Sequence, residues 1–371
     1  MQNDNTVKLK VNGKIFQGWL SVEITSSLQS LARTFAVSAT RSRSASGDLT
    51  DGISAGDAVE VFIGDDKVLT GYVMKKTVSY SSSSVIVEIS GASRPIDLMQ
   101  CMMPDGYPLS YKNQMHLQNL QSVCKPYGIE VVDEVGNTKK CDFEIKPADT
   151  IGQTVIDYLK KHGLLICDDE EGRLVICKAC SAGKTYDGIV VGVNVLSGNK
   201  TEDWANLFSD YVALGQASNP NSDLPTTANQ LKASVQFSRV GRPRTYVKQV
   251  PGNASQESLR KKVISFRDVS VGEAESLEYT LTGWRQKNGE LWQVNKITSV
   301  TDIYLGINAD RLISRVKLSL SGTGMTTAIT LRRRESYNVF EIEKDSEAKA
   351  TDFDNVVSDS GKTGESQWTK S

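Results

Sequence analysis

Val7-Lys8-Leu9-Lys10-Val11-Asn12-Gly13-Lys14-Ile15-Phe16 opens the chain with alternating apolar and charged side chains, an Asn-Gly pair and a second short stretch. Side chains of a strand point to opposite faces in turn, so this alternation gives one apolar face and one wet face. Asn-Gly supplies two neighbouring residues that tolerate positive φ, as a two-residue turn between twisted strands requires. The stretch therefore predicts a β-hairpin, and a hairpin start favours reading the adjoining residues as strands too. Val22-Glu23-Ile24, Thr34–Val37, Ala58–Ile63, Val68–Val73 and Val85–Ile89 continue as short strand-like runs, separated by turn clusters such as Gly64-Asp65-Asp66. Strands at this spacing suggest a barrel or sandwich, because closing the sheet removes exposed edges. Residues 1–98 are expected to form a β-barrel-like domain, completed by strands drawn from 186–216.

The period then changes. Leu117, Leu120 and Cys124 share a helical face that Pro126 and Gly128 terminate. A second helix is expected from Thr150 to His162, with Ile151, Val155, Tyr158 and Leu159 on one face, Thr150 and Gln153 as a capping box and Gly163 as the left-handed cap. Leu164–Cys167 and Arg173–Cys177 read as strands around an acidic turn. These elements make 99–185 a small α/β insert. Strand character returns at Ile189–Val195 and Phe208–Leu214, and Ala217–Ala228 reads as a loop. Val235–Phe237, a helix from about Ser255, Leu277–Trp284, Leu291–Val294, Val316–Leu320 and Ala328–Leu331 make 217–343 a second β-barrel-like domain with one embedded helix. From Glu341 onward eight acidic residues and four lysines sit among few apolar ones. Such a segment cannot bury enough surface to offset its ordering entropy, so 344–371 is expected to be a mobile tail. The fold class is mainly β with an α+β insert: two β-barrel-like domains, a small α/β domain and a C-terminal tail.

Lys+Arg 43 against Asp+Glu 44 gives a net charge of −1, so no global field holds a polyanion and specific nucleic-acid binding is not expected. The longest apolar stretches, such as Gly188–Val195, are far shorter than the about 20 residues a spanning helix needs. Met1–Lys10 lacks the apolar core of a secretory signal, so a soluble chain made in the cytoplasm is expected, without membrane insertion. Six scattered cysteines read as reduced thiols rather than as a disulfide framework.

Chemistry-bearing motifs are sparse. There is no His-Glu-x-x-His and no Gly-x-Ser-x-Gly. Gly183-Lys184-Thr185 resembles the end of a phosphate loop, but Lys178 stands where the first glycine belongs. The two histidines are His116 and His162, and His162 is placed to meet the negative end of its helix as a cap. Cys177 and Cys180 have the spacing of a zinc knuckle or redox pair, and Cys167 with His162 would complete four tetrahedral ligands. The competing reading is a set of small buried thiols on two neighbouring strands. Asp168-Asp169-Glu170-Glu171-Gly172 lacks the alternating ligands of a calcium loop and reads as a solvated hairpin turn. Arg332, Arg333 and Arg334 lie next to an alternating strand and could meet an acidic partner or phosphate. Trp284 and Trp292 flank an Asn-Gly turn; they serve either as interface anchors or as an aromatic pair inside the sheet. No cofactor and no catalytic residue are expected.

Gly13–Trp19 leading into Ser21–Thr25, Thr70-Gly71-Tyr72-Val73, Cys124-Lys125-Pro126-Tyr127-Gly128, Phe208–Tyr211 with Gly215, and above all Gly283-Trp284-Arg285-Gln286-Lys287-Asn288-Gly289-Glu290-Leu291-Trp292 come in an order that resembles the baseplate hub protein of Mu-like contractile-tailed bacteriophages. The resemblance runs from about residue 10 to 335. It implies a non-catalytic homotrimer in the virion tail baseplate, with two barrel-like domains per subunit in a pseudo-sixfold ring. That ring would join the tail tube protein to the central spike protein and touch other baseplate proteins. A carbohydrate- or cell-wall-binding tail module is the alternative, and a tail-associated hydrolase is a third class.

Overall fold

The computed structural model describes residues 4–42, 52–136, 138–216, 230–253 and 255–337. The expected mobile tail at 344–371 and the expected loop at 217–228 lie outside them.

The opening stretch forms strands β1 (Val7–Val11) and β2 (Lys14–Phe16), paired antiparallel with Val11 opposite Lys14. Asn12 and Gly13 both take positive φ, 50° and 76°, as the two-residue turn demands. Val7, Leu9 and Val11 are buried on one face. The chain continues through β3 (Ser21–Ser27), β4 (Thr34–Ser42), β5 (Ala58–Ile63), β6 (Asp66–Tyr80) and β7 (Ser84–Ser93), all antiparallel, in the spatial order β3-β4-β7-β6-β5-β1-β2. Gly91 on β7 lets two strands close on the core: a Cβ there would lie 2.1 Å from the Tyr72 carbonyl oxygen and 2.5 Å from the Phe35 ring.

The next segment carries its own core. In order it holds α1 (Ile96–Gln100), β8 (Ser110–Met115), α2 (His116–Cys124), β9 (Val131–Asp133), β10 (Lys140–Glu144), α3 (Ile151–Lys161), β11 (Leu165–Asp168) and β12 (Leu174–Cys177). The strands form two small sheets, β10-β8 and β11-β12-β9, and Leu120, Phe143, Val155, Leu159 and Ile176 are among the side chains buried between them and the helices. The ends of α3 obey local rules. The Thr150 hydroxyl accepts from the Gln153 amide at 3.4 Å, and Gly163 takes φ 69°. The acidic turn does connect β11 to β12, but it is not solvated throughout, because Asp168 and Asp169 are both buried. Arg33, between β3 and β4, reaches Asp168 and explains the first; Arg173 pairs with Asp169 at 2.7 Å and explains the second.

Beyond the insert the strands pair differently from the boundaries that sequence order suggests. β13 (Ile189–Val190) and β14 (Val195–Glu202) do not complete the N-terminal half. β15 (Asp210–Gln216), β16 (Gln230–Gln236), β17 (Thr245–Asn253) and α4 (Gln256–Glu273) form a separate compact unit over Asp203–Ala274, with β15 central and Leu259 and Val263 of α4 in its core. The helix read as embedded in a second barrel therefore belongs to this unit. The other strands of the second β half follow that unit: β18 (Glu275–Thr282), β19 (Ile297–Asp302), β20 (Ile307–Ser321) and β21 (Gly324–Arg332). β14 pairs with β18, β13 pairs parallel with β19, and the order β14-β18-β21-β20 continues through β3 into the first half. Alternation marks a strand without naming its partner, which is why sequence order misplaced these strands.

The β3–β20 pairing, with Leu318 opposite Ile24, makes one 13-stranded sheet among the described residues. Both halves contribute to one apolar core, from Leu9, Phe35 and Ile89 to Leu277, Trp284 and Ile329. Among the described residues no helix is long and apolar enough to cross a membrane.

Candidate assembly surface

The thiols come together only in part. Cys167 on β11 and Cys177 on β12 face each other with their sulfurs 3.7 Å apart, and Cys180 packs against the same small apolar cluster. The hydrogen bond with Cys167 and burial push the Cys177 thiol far up, and burial pushes Cys180 up too, so these are protonated, unreactive thiols. Cys180 is positioned by its backbone, with φ 68° and its amide donating to Asn295 Oδ1 at 2.8 Å. His162 does not join them. It sits at the end of α3 beside His116 and Cys141, and burial together with His116 pushes its imidazole down to about 4. At neutral pH it therefore carries no charge with which to complement the helix end.

Trp284 and Trp292 are core residues. Trp284 is fully buried and its Nε1 donates to the carbonyls of Ser319 and Thr326 at 3.0 and 3.1 Å; Trp292 is buried in the same core. Neither presents its ring to a partner. Of the three arginines, Arg333 grips Glu275 at 3.1 Å together with Arg311 at 2.9 Å, whereas Arg334 pairs with neighbouring Glu335 at the surface. Burial alone would raise the Glu275 carboxyl, but Arg333 and Arg311 outweigh it and hold it below the usual glutamate range. A carboxyl lowered in the folded state stabilises fully above its unfolded pKa and loses that contribution as pH falls through the folded value. Glu275→Gln is accordingly expected to lower stability at neutral pH and to flatten the decline below about pH 4.5, measured as urea midpoints across an acid pH series. A decline as steep as the parent's would remove Glu275 from the acid response.

A cleft of about 940 Å³ runs between the Asp168–Gly172 turn, β6 and the 288–296 loop. Its four cationic side chains are all paired, Lys67 with Glu171, Lys296 with Glu290, Arg285 with Asp66, and Arg33 with Asp168, while eight acidic residues line it in all. Such pairing fixes loops together, and the acidic excess disfavours an anionic ligand.

What remains for recognition is edge and surface. Among the described residues β2 pairs only with β1, β14 only with β18 and β13 only with β19, so the sheet ends in three strands with one unpaired side each. β13 and β19 run parallel, so the loops after them leave at the same end. Val193 stands in one, and Ile303 and Tyr304 stand in the other at 78% and 82% exposure. The second loop is held firmly. The buried Asp302 carboxylate accepts from the amides of Tyr304 and Leu305 at 2.8 and 2.9 Å and from the Tyr279 hydroxyl at 2.9 Å. Sequence reading missed this loop because no motif marks it; an Asp followed by three apolar residues and a glycine, Asp302–Gly306, was the available signal.

Comparison with known proteins agrees with a surface built for assembly. Three family models match in order: the Mu phage baseplate assembly protein GpP-like N-terminal domain at residues 6–93, the baseplate hub protein gp44-like second domain at 96–178, and the Mu phage baseplate assembly protein GpP fourth domain at 255–340. The baseplate hub protein gp44 of Escherichia phage Mu is 25% identical over 348 residues, spanning 90% of this chain and 89% of that one. The 43 kDa tail protein of prophage MuSo2 from Shewanella oneidensis is 29% identical, with a TM-score of 0.80 over 90% of this chain and 99% of its own. The tail protein of Neisseria meningitidis MC58, 21% identical, shares the fold at a TM-score of 0.77 over 90% of this chain and 98% of its own. A mainly β chain with these matches is a structural protein of a phage tail. More narrowly, it belongs to the Mu-like phage baseplate hub family, and its role is that of a structural hub of the baseplate.

Proposed function

We propose that three copies of this chain form a ring in the virion tail baseplate that joins the tail tube protein to the central spike protein and contacts the other baseplate proteins. The ring is non-catalytic and is made in the host cytoplasm before assembly. Two β halves linked strand to strand by β3 and β20 would give three subunits six comparable faces to meet a sixfold tube.

The observation that carries the self-association is the Ile303–Tyr304 loop. Two large apolar side chains stand in water on a loop that Asp302 makes rigid, so ordering them at an interface loses little further entropy. In sedimentation velocity the parent is expected to run as a trimer, and the Ile303→Asp, Tyr304→Asp double variant as a monomer that melts like the parent at concentrations where no ring forms, since neither side chain supports the core. A parent that stays monomeric at high concentration, or a double variant that still trimerises, would overturn this reading.

A further inference from the structure

We propose that His116, Cys141 and His162 form a divalent metal site, taking zinc, that staples three elements of the insert to one another. His116 opens α2, Cys141 lies in β10 and His162 caps the C-terminal end of α3. Their ligand atoms all lie within 4.8 Å of one another; Cys141 Sγ is 4.0 Å from His162 Nδ1, and the two imidazole rings are 4.7 Å apart. Among the described residues this is the group of His, Cys and acidic side chains that comes close enough to share an ion.

A second observation points the same way. His116 is completely buried, yet its Nε2 has no hydrogen-bond partner, while its Nδ1 lies 2.7 Å from the Tyr158 hydroxyl. A buried ring nitrogen without a partner calls for an explanation, and a metal ion supplies one. With the ion on Nε2, the hydrogen sits on Nδ1 and is donated to Tyr158, whose oxygen also accepts from Asn119 Nδ2 at 3.0 Å. This is the outer hydrogen bond that orients ligating histidines. Two more buried oxygens without partners lie nearby in the chain, Asn119 Oδ1 in α2 and Gln114 Oε1 in β8, where Gln114 is directly opposite Cys141 in the β8–β10 register.

The donor set selects the metal. Two imidazoles and a thiol suit zinc and its borderline neighbours, whereas calcium and magnesium demand oxygen. Burial lowers both histidines, His162 to about 4, so both rings are neutral and keep lone pairs to give. Tetrahedral zinc, with bonds of about 2.0–2.1 Å to nitrogen and about 2.3 Å to sulfur, sets neighbouring ligand atoms roughly 3.3–3.7 Å apart. Cys141 and His162 are only partly buried, so they can close that gap by turning while His116 stays fixed. As the zinc–sulfur bond forms, the Cys141 S–H bond breaks and its proton passes to solvent, one per ion. Water entering from the Cys141–His162 side takes the fourth position.

Full-length protein freed of metal with a chelator should be titrated with cobalt(II) as a spectroscopic stand-in. The expected result is one equivalent bound, with tetrahedral visible bands and a thiolate charge-transfer band, displaced by zinc, and a melt raised by several degrees on adding zinc. Cys141→Ser should abolish the charge-transfer band and the melt shift. His162→Gln should weaken binding by more than about 100-fold, since even outer-sphere changes cost about 10–100-fold. Cys177→Ser should change neither. Folded parent protein that binds neither ion at micromolar concentration would overturn the proposal, and so would a cobalt spectrum that survives Cys141→Ser but vanishes in Cys177→Ser. Should a variant fail to fold by circular dichroism, the parent's stoichiometry and thiolate band still decide.

Discussion

Asp168→Ala is expected to destabilise the larger unit by about 3–5 kcal/mol, the range for removing one partner of a buried ion pair. Asp168 ends β11 and is 6% exposed. Its carboxylate accepts from the Arg33 amide at 3.0 Å, from Arg33 Nε at 3.1 Å and from the Ser93 hydroxyl at 2.6 Å, while its carbonyl accepts from Arg33 Nη2 at 2.8 Å. Burial pushes this carboxyl up, against the pull of the Arg33 guanidinium and the Ser93 hydroxyl. Truncation would leave Arg33 Nε without its acceptor and the guanidinium without its counterion, while Nη1 and Nη2 keep the carbonyls of Val68 and of residue 168 and the Arg33 amide keeps the Ser93 hydroxyl. The pair also pins the insert to the first β half, so amide exchange at β11 and β12 should accelerate together with that at β3 and β4. Asp168→Asn keeps the shape and loses the charge, and about 1–3 kcal/mol is expected for the hydrogen bonds it cannot make. Replacing Arg33 and Asp168 together by apolar residues should cost less than Asp168→Ala alone, since no charge is stranded. A loss below about 1 kcal/mol for Asp168→Ala would mean that water solvates Arg33 in the variant, and the pin would be dispensable.

Asp168 also shows where sequence reading reached its limit. A run of four acids before a glycine between two strands says hairpin turn, and the turn is there; that its first acid is buried depends on Arg33, 135 residues upstream. Features decided within a few residues were legible: the Asn12-Gly13 turn, the Thr150 cap and the Gly163 terminator of α3, and the start of α4, where the Ser255 hydroxyl accepts from the Ser258 amide at 3.1 Å. Features decided by distant partners were not. β14 alternates weakly and β18 clearly, yet nothing local says that Lys200 pairs with Leu277, which lies beyond three strands and α4 in the sequence. The same holds for the side-chain clusters. Cys177-x-x-Cys180 drew attention by spacing, whereas His116, Cys141 and His162 are separated by two helices and a strand and meet only when the insert folds. The exposed Ile303 and Tyr304 were invisible for the opposite reason: apolar residues after a strand look like more core until the fold leaves them outside.

Trp284→Ala is expected to cost about 3–5 kcal/mol, as for other fully buried large aromatics, and to act on the subunit before it acts on the ring. The indole is wholly buried in the core shared by both β halves. Its Nε1 bridges the carbonyls of Ser319 on β20 and Thr326 on β21, residues that face each other in the hairpin, while the Thr327 hydroxyl donates to the Gly283 carbonyl at 2.6 Å. Trp284 thus ties the segment after β18 to the two strands beside it. Trp284→Phe keeps most of the packing but removes the donor, so roughly 0.5–1.5 kcal/mol is expected, the net worth of a typical hydrogen bond. The comparison with the Ile303→Asp, Tyr304→Asp pair separates core from contact. Exposed residues at an interface should change the sedimentation coefficient at high concentration, and where no ring forms they should leave the melt alone whereas Trp284→Ala lowers it. A Trp284→Ala protein with the parent's melting temperature but no trimer would reverse the assignment and make this indole an assembly anchor. The geometry argues otherwise, because an anchor must reach a partner, and the indole is enclosed by its own chain, with its one polar atom already donating to two carbonyls there.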